Sequence, residues 1–114
     1  MPLDYDASYL DGVRLEQVAV GEFQVILNFD GASLSIEGEM QLVHPDGTVQ
    51  RFALPFDAAP ALLPLLKHPV AHAEVVGPVE LSITFGDGSR LSVFDSTEPY
   101  EQFSLQHGPH LLIV

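Results

Sequence analysis

Alternation of apolar and polar residues at period two constrains the fold of this chain more than any other feature. Residues 23–29 place one apolar side chain at every second position, and residues 79–85 repeat the arrangement. The apolar positions are Phe23, Val25, Leu27 and Phe29 in the first run and Val79, Leu81, Ile83 and Phe85 in the second. This period is typical of half-buried β-strands, so we expect these positions and Phe103 to face the core.

An Asp-Gly pair follows each run, Asp30-Gly31 in the first and Asp87-Gly88 in the second. Asp-Gly supplies the positive φ angles of tight hairpin turns, so each pair predicts a hairpin. The two hairpins also resemble each other, NFDGASLSIE against TFGDGSRLSVF. Either the chain contains an internal duplication, or two hairpins of the same turn class converged on similar residues. A bulge is predicted near Glu16 and Gln17, where the alternation changes phase.

The halves of the proposed repeat cover about residues 10–54 and 68–114, each predicted as a four-stranded antiparallel meander. The last hairpin is predicted at Asp46-Gly47 in the first half and at His107-Gly108-Pro109 in the second. The segment FDAAPALLPLLKHP between them predicts a short helix over about 58–67, with Asp57 as N-cap and a kink at Pro64. Its leucines are expected to be covered. The predicted fold is therefore mainly β (β-rich α+β). It forms one domain over residues 1–114, in which two related meanders make a sandwich or a partly closed barrel.

The charge balance narrows the possible partners. Asp and Glu number 16 against 4 Lys and Arg, for a net charge of −12. Such a surface repels phosphate backbones and anionic lipids, so we expect no nucleic acid and no membrane as partner. A basic protein is favoured electrostatically, although an acidic surface also serves solubility. The first residues resemble no signal peptide, and the chain contains no cysteine, so a cytoplasmic location is predicted.

The candidate site residues are an acidic group late in the chain: Asp95, Glu98, Tyr100, Glu101 and His107. Carboxylates this close in sequence could act as an acid and base pair, but only if a cleft shifts their pKa values apart. The alternative is an Asx-type turn with a solvated acidic rim. We expect no cofactor, and no metal, because the histidines lack a third ligand at suitable spacing.

The last residues, LLIV, are apolar on both faces of a predicted strand. Such a strand must lie centrally, be covered, or meet another subunit, because an exposed apolar edge invites aggregation. This pattern raises the hypothesis of a homodimer.

Short motifs resemble those of small uncharacterised bacterial β-rich proteins, a family without assigned function. The resemblance lies in an F-x-DG-x-x-L-x-[IV] hairpin and a terminal Tyr-Glu-x-Phe strand. Those motifs are carried here by Phe85, Asp87, Gly88, Leu91, Val93, Tyr100, Glu101 and Phe103. Some proteins of similar size and acidity are immunity proteins, which neutralise toxins from neighbouring bacteria. The resemblance therefore implies a basic toxin surface as one class of partner.

Three functional hypotheses follow. The first is a non-enzymatic interaction domain that binds a basic protein partner, or a second copy of itself, through an acidic face. The second is a small-molecule-binding domain with a pocket between the two halves. The third is an enzyme that uses Glu98, Glu101 and His107 for acid and base catalysis.

Overall fold

The computed structural model describes residues 5–77, 80–94, 103–108 and 110–113. They form ten β-strands, one α-helix and two short 3₁₀ segments. The strands are β1 (Leu15–Val20), β2 (Val25–Phe29), β3 (Ala32–Ile36), β4 (Met40–Val43), β5 (Val49–Phe52), β6 (Val70–Val76), β7 (Glu80–Phe85), β8 (Arg90–Phe94), β9 (Phe103–His107) and β10 (His110–Ile113). The helix is α1 (Pro55–Leu62), and the 3₁₀ segments are Ser8–Leu10 and Leu63–Lys67.

The strands form two antiparallel five-stranded sheets that enclose one core. Their orders are β1-β2-β3-β9-β10 and β5-β4-β8-β7-β6. The predicted mainly β fold is therefore confirmed, and of the two packings left open the structure is a sandwich. The hairpins predicted at Asp46-Gly47 and at His107-Gly108 both form, and with them each half contributes five strands rather than four.

Neither sheet is built from one half of the chain alone. Three strands of the first half pair with the last two of the second half, and three strands of the second half pair with the last two of the first. The first strand of each triplet has a register shift, between Leu15 and Gln17 in β1 and between Val70 and His72 in β6. The bulge predicted near Gln17 is thus confirmed. The internal duplication stays a prediction, which this matching topology supports.

The Asp-Gly turns form as the sequence predicts. Gly31, Gly47 and Gly88 have φ angles of 81°, 90° and 93°, a left-handed region that side chains with a Cβ rarely adopt. In the last of these turns Asp87 accepts hydrogen bonds of 2.9 Å from the backbone N–H and the hydroxyl of Ser89. Partial burial alone would raise the pKa of Asp87, but these bonds outweigh it and hold the pKa below its ordinary value.

The core consists of the inward-facing apolar side chains of both sheets together with α1. Phe29, Phe85 and Phe103 are buried in it, as predicted. Phe23 is not: 74% of its side chain is exposed, so the expectation that it faces the core is wrong. The apolar alternation of the sequence starts two residues before the strand does, because β2 begins only at Val25.

The helix begins earlier than predicted. Leu54 is the N-cap, Pro55 occupies the first helical position, and Asp57 lies in the first turn instead of capping it. From Leu63 the chain continues as a 3₁₀ segment that includes Pro64, and the kink near Pro64 stays a prediction. Two of the four leucines predicted to be covered, Leu62 and Leu65, are buried and Leu66 is half-buried, whereas Leu63 is exposed.

Candidate functional site

Most of the predicted acidic site falls on residues whose structure is not described. Asp95, Glu98, Tyr100 and Glu101 lie outside the described residues, as does Val79 of the second alternating run. His107 is described and ends β9. The hypothesis of acid and base catalysis by these residues therefore stays a prediction.

His107 is part of an aromatic contact that fastens the N-terminal segment to the sheet. Its ring is stacked on that of Tyr9 with a centroid separation of 4.0 Å and an interplanar angle of 10°. The hydroxyls of Tyr9 and Tyr5 lie 2.7 Å apart and share a hydrogen bond. Burial, with the bond to Tyr5, raises the pKa of Tyr9 above its ordinary value. This environment gives His107 a packing role.

A cluster of titratable side chains, Asp11, His72 and Glu74, connects the 3₁₀ turn before β1 with the edge strand β6. Asp11 accepts a hydrogen bond of 2.9 Å from the backbone N–H of Ala73. The ring of His72 lies 3.4 Å from a Glu74 oxygen and 3.5 Å from an Asp11 oxygen. Hydrogen bonds to Glu74 and Asp11 raise the pKa of His72. Among the described residues, no three His, Asp or Glu side chains are placed to hold a metal ion.

An exposed apolar cluster begins at the turn between β1 and β2. The backbone N–H of Gly21 donates to the carbonyl of Gln24 at 2.7 Å and closes a four-residue turn. Glu22 and Phe23 are the two central residues of this turn, and both are exposed. The Gln24 amide donates to the hydroxyl of Ser35 on the neighbouring strand. These bonds tie the turn to the sheet at Gln24, and the Phe23 side chain is exposed to solvent.

The start of α1 supplies the other part of the cluster. Leu54 is extended and Pro55 begins the helix, so Phe56 follows in its first turn. Leu54 and Phe56 are 60% and 56% exposed. Because α1 packs against β1 and β2, these residues come to lie beside the β1–β2 turn, about thirty positions earlier in the chain.

We call the side chains of Phe23, Leu54 and Phe56 the apolar patch. They line a groove of about 450 Å³, and Glu22 and Asp57 line the same groove. The groove thus combines three apolar side chains with two carboxylates. Such a groove is suited to a ligand whose apolar side chains contact the aromatic and leucine side chains and whose cationic hydrogen-bond donors meet the carboxylates.

Sequence reasoning missed the apolar patch. The alternating pattern predicts a strand position for Phe23. The predicted N-cap at Asp57 leaves Leu54 and Phe56 outside the helix. One local signal was available: the Gly21-Glu22 pair before Phe23 is itself typical of a turn. Nothing local indicates that Leu54 and Phe56 approach this turn.

A further groove, of about 560 Å³, is lined by the β4–β5 hairpin residues His44, Pro45, Asp46, Thr48 and Gln50. The small-molecule hypothesis placed a pocket elsewhere, between the two halves. The space between the sheets contains fully buried side chains such as Leu27, Leu34 and Ile83. That hypothesis stays a prediction.

Comparison with known proteins places the chain in a family. A model described as a family of unknown function (DUF6188) matches residues 7–114. The chain belongs to this family. The comparisons matched no curated protein and no solved structure. The resemblance to an uncharacterised family is thereby confirmed, and it extends over all but the first six residues. Among the described helices, none is long and apolar enough to cross a bilayer.

Proposed function

We propose that this member of the family is a non-enzymatic interaction domain that binds a basic protein partner through the apolar patch. The observation that carries the proposal is the convergence of Phe23, Leu54 and Phe56 in one groove together with Glu22 and Asp57. In this proposal the partner inserts apolar side chains between these residues and places Lys or Arg beside the two carboxylates. A toxin surface, as the likeness to immunity proteins suggests, is one partner of that chemistry.

The size of the apolar patch supports this function. From the exposed fractions of 74%, 60% and 56%, the three side chains present roughly 350 Å² to solvent, within the roughly 300–600 Å² typical of the largest patch on a monomer. Covering that area contributes about 8 kcal/mol before the costs of association, so it suits a reversible complex. Aromatic residues in such positions commonly dominate binding energy.

Charge supports the choice of a basic partner. The chain carries a net charge of −12, and the two ionisable side chains of the groove are both acidic. An approaching cationic surface is therefore accelerated, whereas an acidic one is repelled.

The test uses a displayed library of random peptides, selected for binding to the purified full chain at low salt. We expect the selected sequences to combine aromatic or aliphatic residues with Lys or Arg. Phe23→Ala and Phe56→Ala should each weaken their binding by about 10- to 30-fold, the loss typical of a central aromatic contact. Glu22→Gln with Asp57→Asn should weaken binding about 3- to 10-fold and reduce its salt dependence.

Val76→Ala is the matched control, because Val76 is an exposed apolar residue on β6 that does not line the groove. It should bind the selected peptides as the unaltered chain does. Three results would reject the proposal: no enrichment of peptides, enrichment without basic residues, or equal binding by Phe23→Ala. Competition by small metabolites for the same groove would favour the small-molecule hypothesis instead.

A further inference from the structure

A separate surface of the molecule, the edge strand β10, has features of a strand that adds to another strand. In the part of the chain that the structure describes, β10 pairs on one side only, with β9. The pairing runs in unbroken register from His110 opposite His107 to Ile113 opposite Ser104. Since an edge strand directs part of its backbone N–H and C=O groups away from its neighbour, β10 offers a regular row of hydrogen-bonding groups.

The other three edge strands of the described sheets have features that hinder pairing with a further strand. Register shifts bend β1 between Leu15 and Gln17 and β6 between Val70 and His72. The β5 edge carries Arg51, which pairs with Glu39 and lies over the Phe94 ring. Bulges and charged side chains are the usual means by which edge strands avoid pairing. β10 has an even register and contains no Asp, Glu, Lys or Arg.

The outward side chains of β10 are apolar. Leu111 and Ile113 are 55% and 58% exposed, while Leu112 between them points into the core. Leu111 lies opposite Gln106 on β9, and the next positions in the same cross-strand row are Ser33 and Asn28. None of these side chains carries a charge. Leu111 and Ile113 therefore place two exposed apolar side chains at the open edge of this sheet, where a paired strand would cover them.

Charge distribution identifies the occupant as a second copy of this chain. Two copies with a net charge of −12 each repel one another over most surfaces. Residues 103–113 contain no Asp, Glu, Lys or Arg, so an approach through β9 and β10 avoids placing carboxylates of the two copies opposite one another. An antiparallel strand paired with its own copy is also self-complementary, as two-fold symmetry requires.

We propose that β10 pairs antiparallel with β10 of a second copy and forms a homodimer with a continuous ten-stranded sheet. Leu111 and Ile113 of each copy then cover those of the other across the two-fold axis. The contact is short, so the dimer belongs to the class of small interfaces that dissociate on dilution. The proposal does not depend on the apolar patch, which remains free in such a dimer for a protein partner.

Sedimentation equilibrium of the full chain tests this arrangement. Between about 5 and 500 µM, the range suited to a small interface, we expect the weight-average mass to rise from the 12.4 kDa of one chain towards twice that value. Leu111→Lys should hold the mass at that of one chain over the same range, because each copy would then bring a lysine into the apolar contact between the Leu111 and Ile113 side chains. The association constant is expected to fall by at least about 100-fold.

Val49→Lys is the matched control, since Val49 is an exposed apolar residue on β5, the edge strand of the other sheet. It should dimerise like the unaltered chain. If circular dichroism shows that Leu111→Lys is unfolded, Ile113→Lys replaces it. A chain that remains at 12.4 kDa at the highest concentration would overturn the proposal. So would a Leu111→Lys variant that dimerises normally, or a Val49→Lys variant that is equally impaired.

Discussion

Two phenylalanines six positions apart should differ widely in how much stability the same substitution removes. Phe23 and Phe29 were both expected in the core from one alternating pattern, but the structure leaves 74% of Phe23 exposed and only 4% of Phe29. Replacing each by alanine therefore compares a buried with an exposed ring for the same residue type and the same substitution. The comparison also tests the basis of the apolar patch.

The magnitudes follow from these exposures. Phe29→Ala removes a buried ring and leaves a cavity, which lowers the free energy of unfolding by about 3–5 kcal/mol. This is a large part of the roughly 5–15 kcal/mol that stabilises a typical domain. Phe23→Ala removes a ring that contacts mainly water, so its effect should remain within about 0.5 kcal/mol.

Equilibrium unfolding in urea, followed by far-ultraviolet circular dichroism, measures both effects. With a urea dependence of about 1.5 kcal/mol per M, Phe29→Ala should lower the midpoint by about 2–3 M and Phe23→Ala by less than about 0.4 M. Should Phe29→Ala be too unstable to measure, Phe29→Leu should still lose about 1 kcal/mol. A loss above about 2 kcal/mol for Phe23→Ala would refute the reasoning, because Phe23 would then be a core residue.

Further expectations concern a turn and a histidine. Gly88→Ala should destabilise the fold by about 1–2 kcal/mol, because Gly88 has a φ of +93°, which strains any residue with a Cβ even where space is free. Thermal melting measures the loss, and an unchanged melting temperature would contradict it. The carboxylates of Glu74 and Asp11 raise the pKa of His72 above its ordinary 6.5, so their interaction stabilises the fold below that value and is lost as pH rises through the raised pKa. His72→Gln should therefore lower the urea midpoint at about pH 5.5 and leave it unchanged at about pH 8.5; an equal loss at both would show that His72 acts by packing.

Local chemistry explains why much of the fold could be predicted. Asp30-Gly31 and Asp87-Gly88 determine turns within four residues, and the alternation on either side determines which face is buried. A phase change near Gln17 indicated a bulge that the structure contains. These features depend on neighbours in the chain, so they needed no knowledge of the tertiary structure.

The sequence predictions that proved wrong concern residues at the end of a strand or a helix. Phe23 continues the alternation of β2, but the Gly21–Gln24 hydrogen bond closes the turn first and excludes it from the strand. Asp57 suits an N-cap, yet Pro55 is equally suited to the first helical position and the helix begins there. Each segment contained two valid local signals, and packing selected between them.

The sequence by itself determined a mainly β chain with tight Asp-Gly hairpins, an apolar core pattern and a strongly acidic surface. The tertiary structure alone decided that the halves exchange their last two strands, and that Phe23 meets Leu54 and Phe56 at one groove. It also decided that β10 lies at a sheet edge. The physical reason is distance along the chain: alternation and turn chemistry act over a few residues, whereas sheet partners and surface patches join segments that are tens of residues apart.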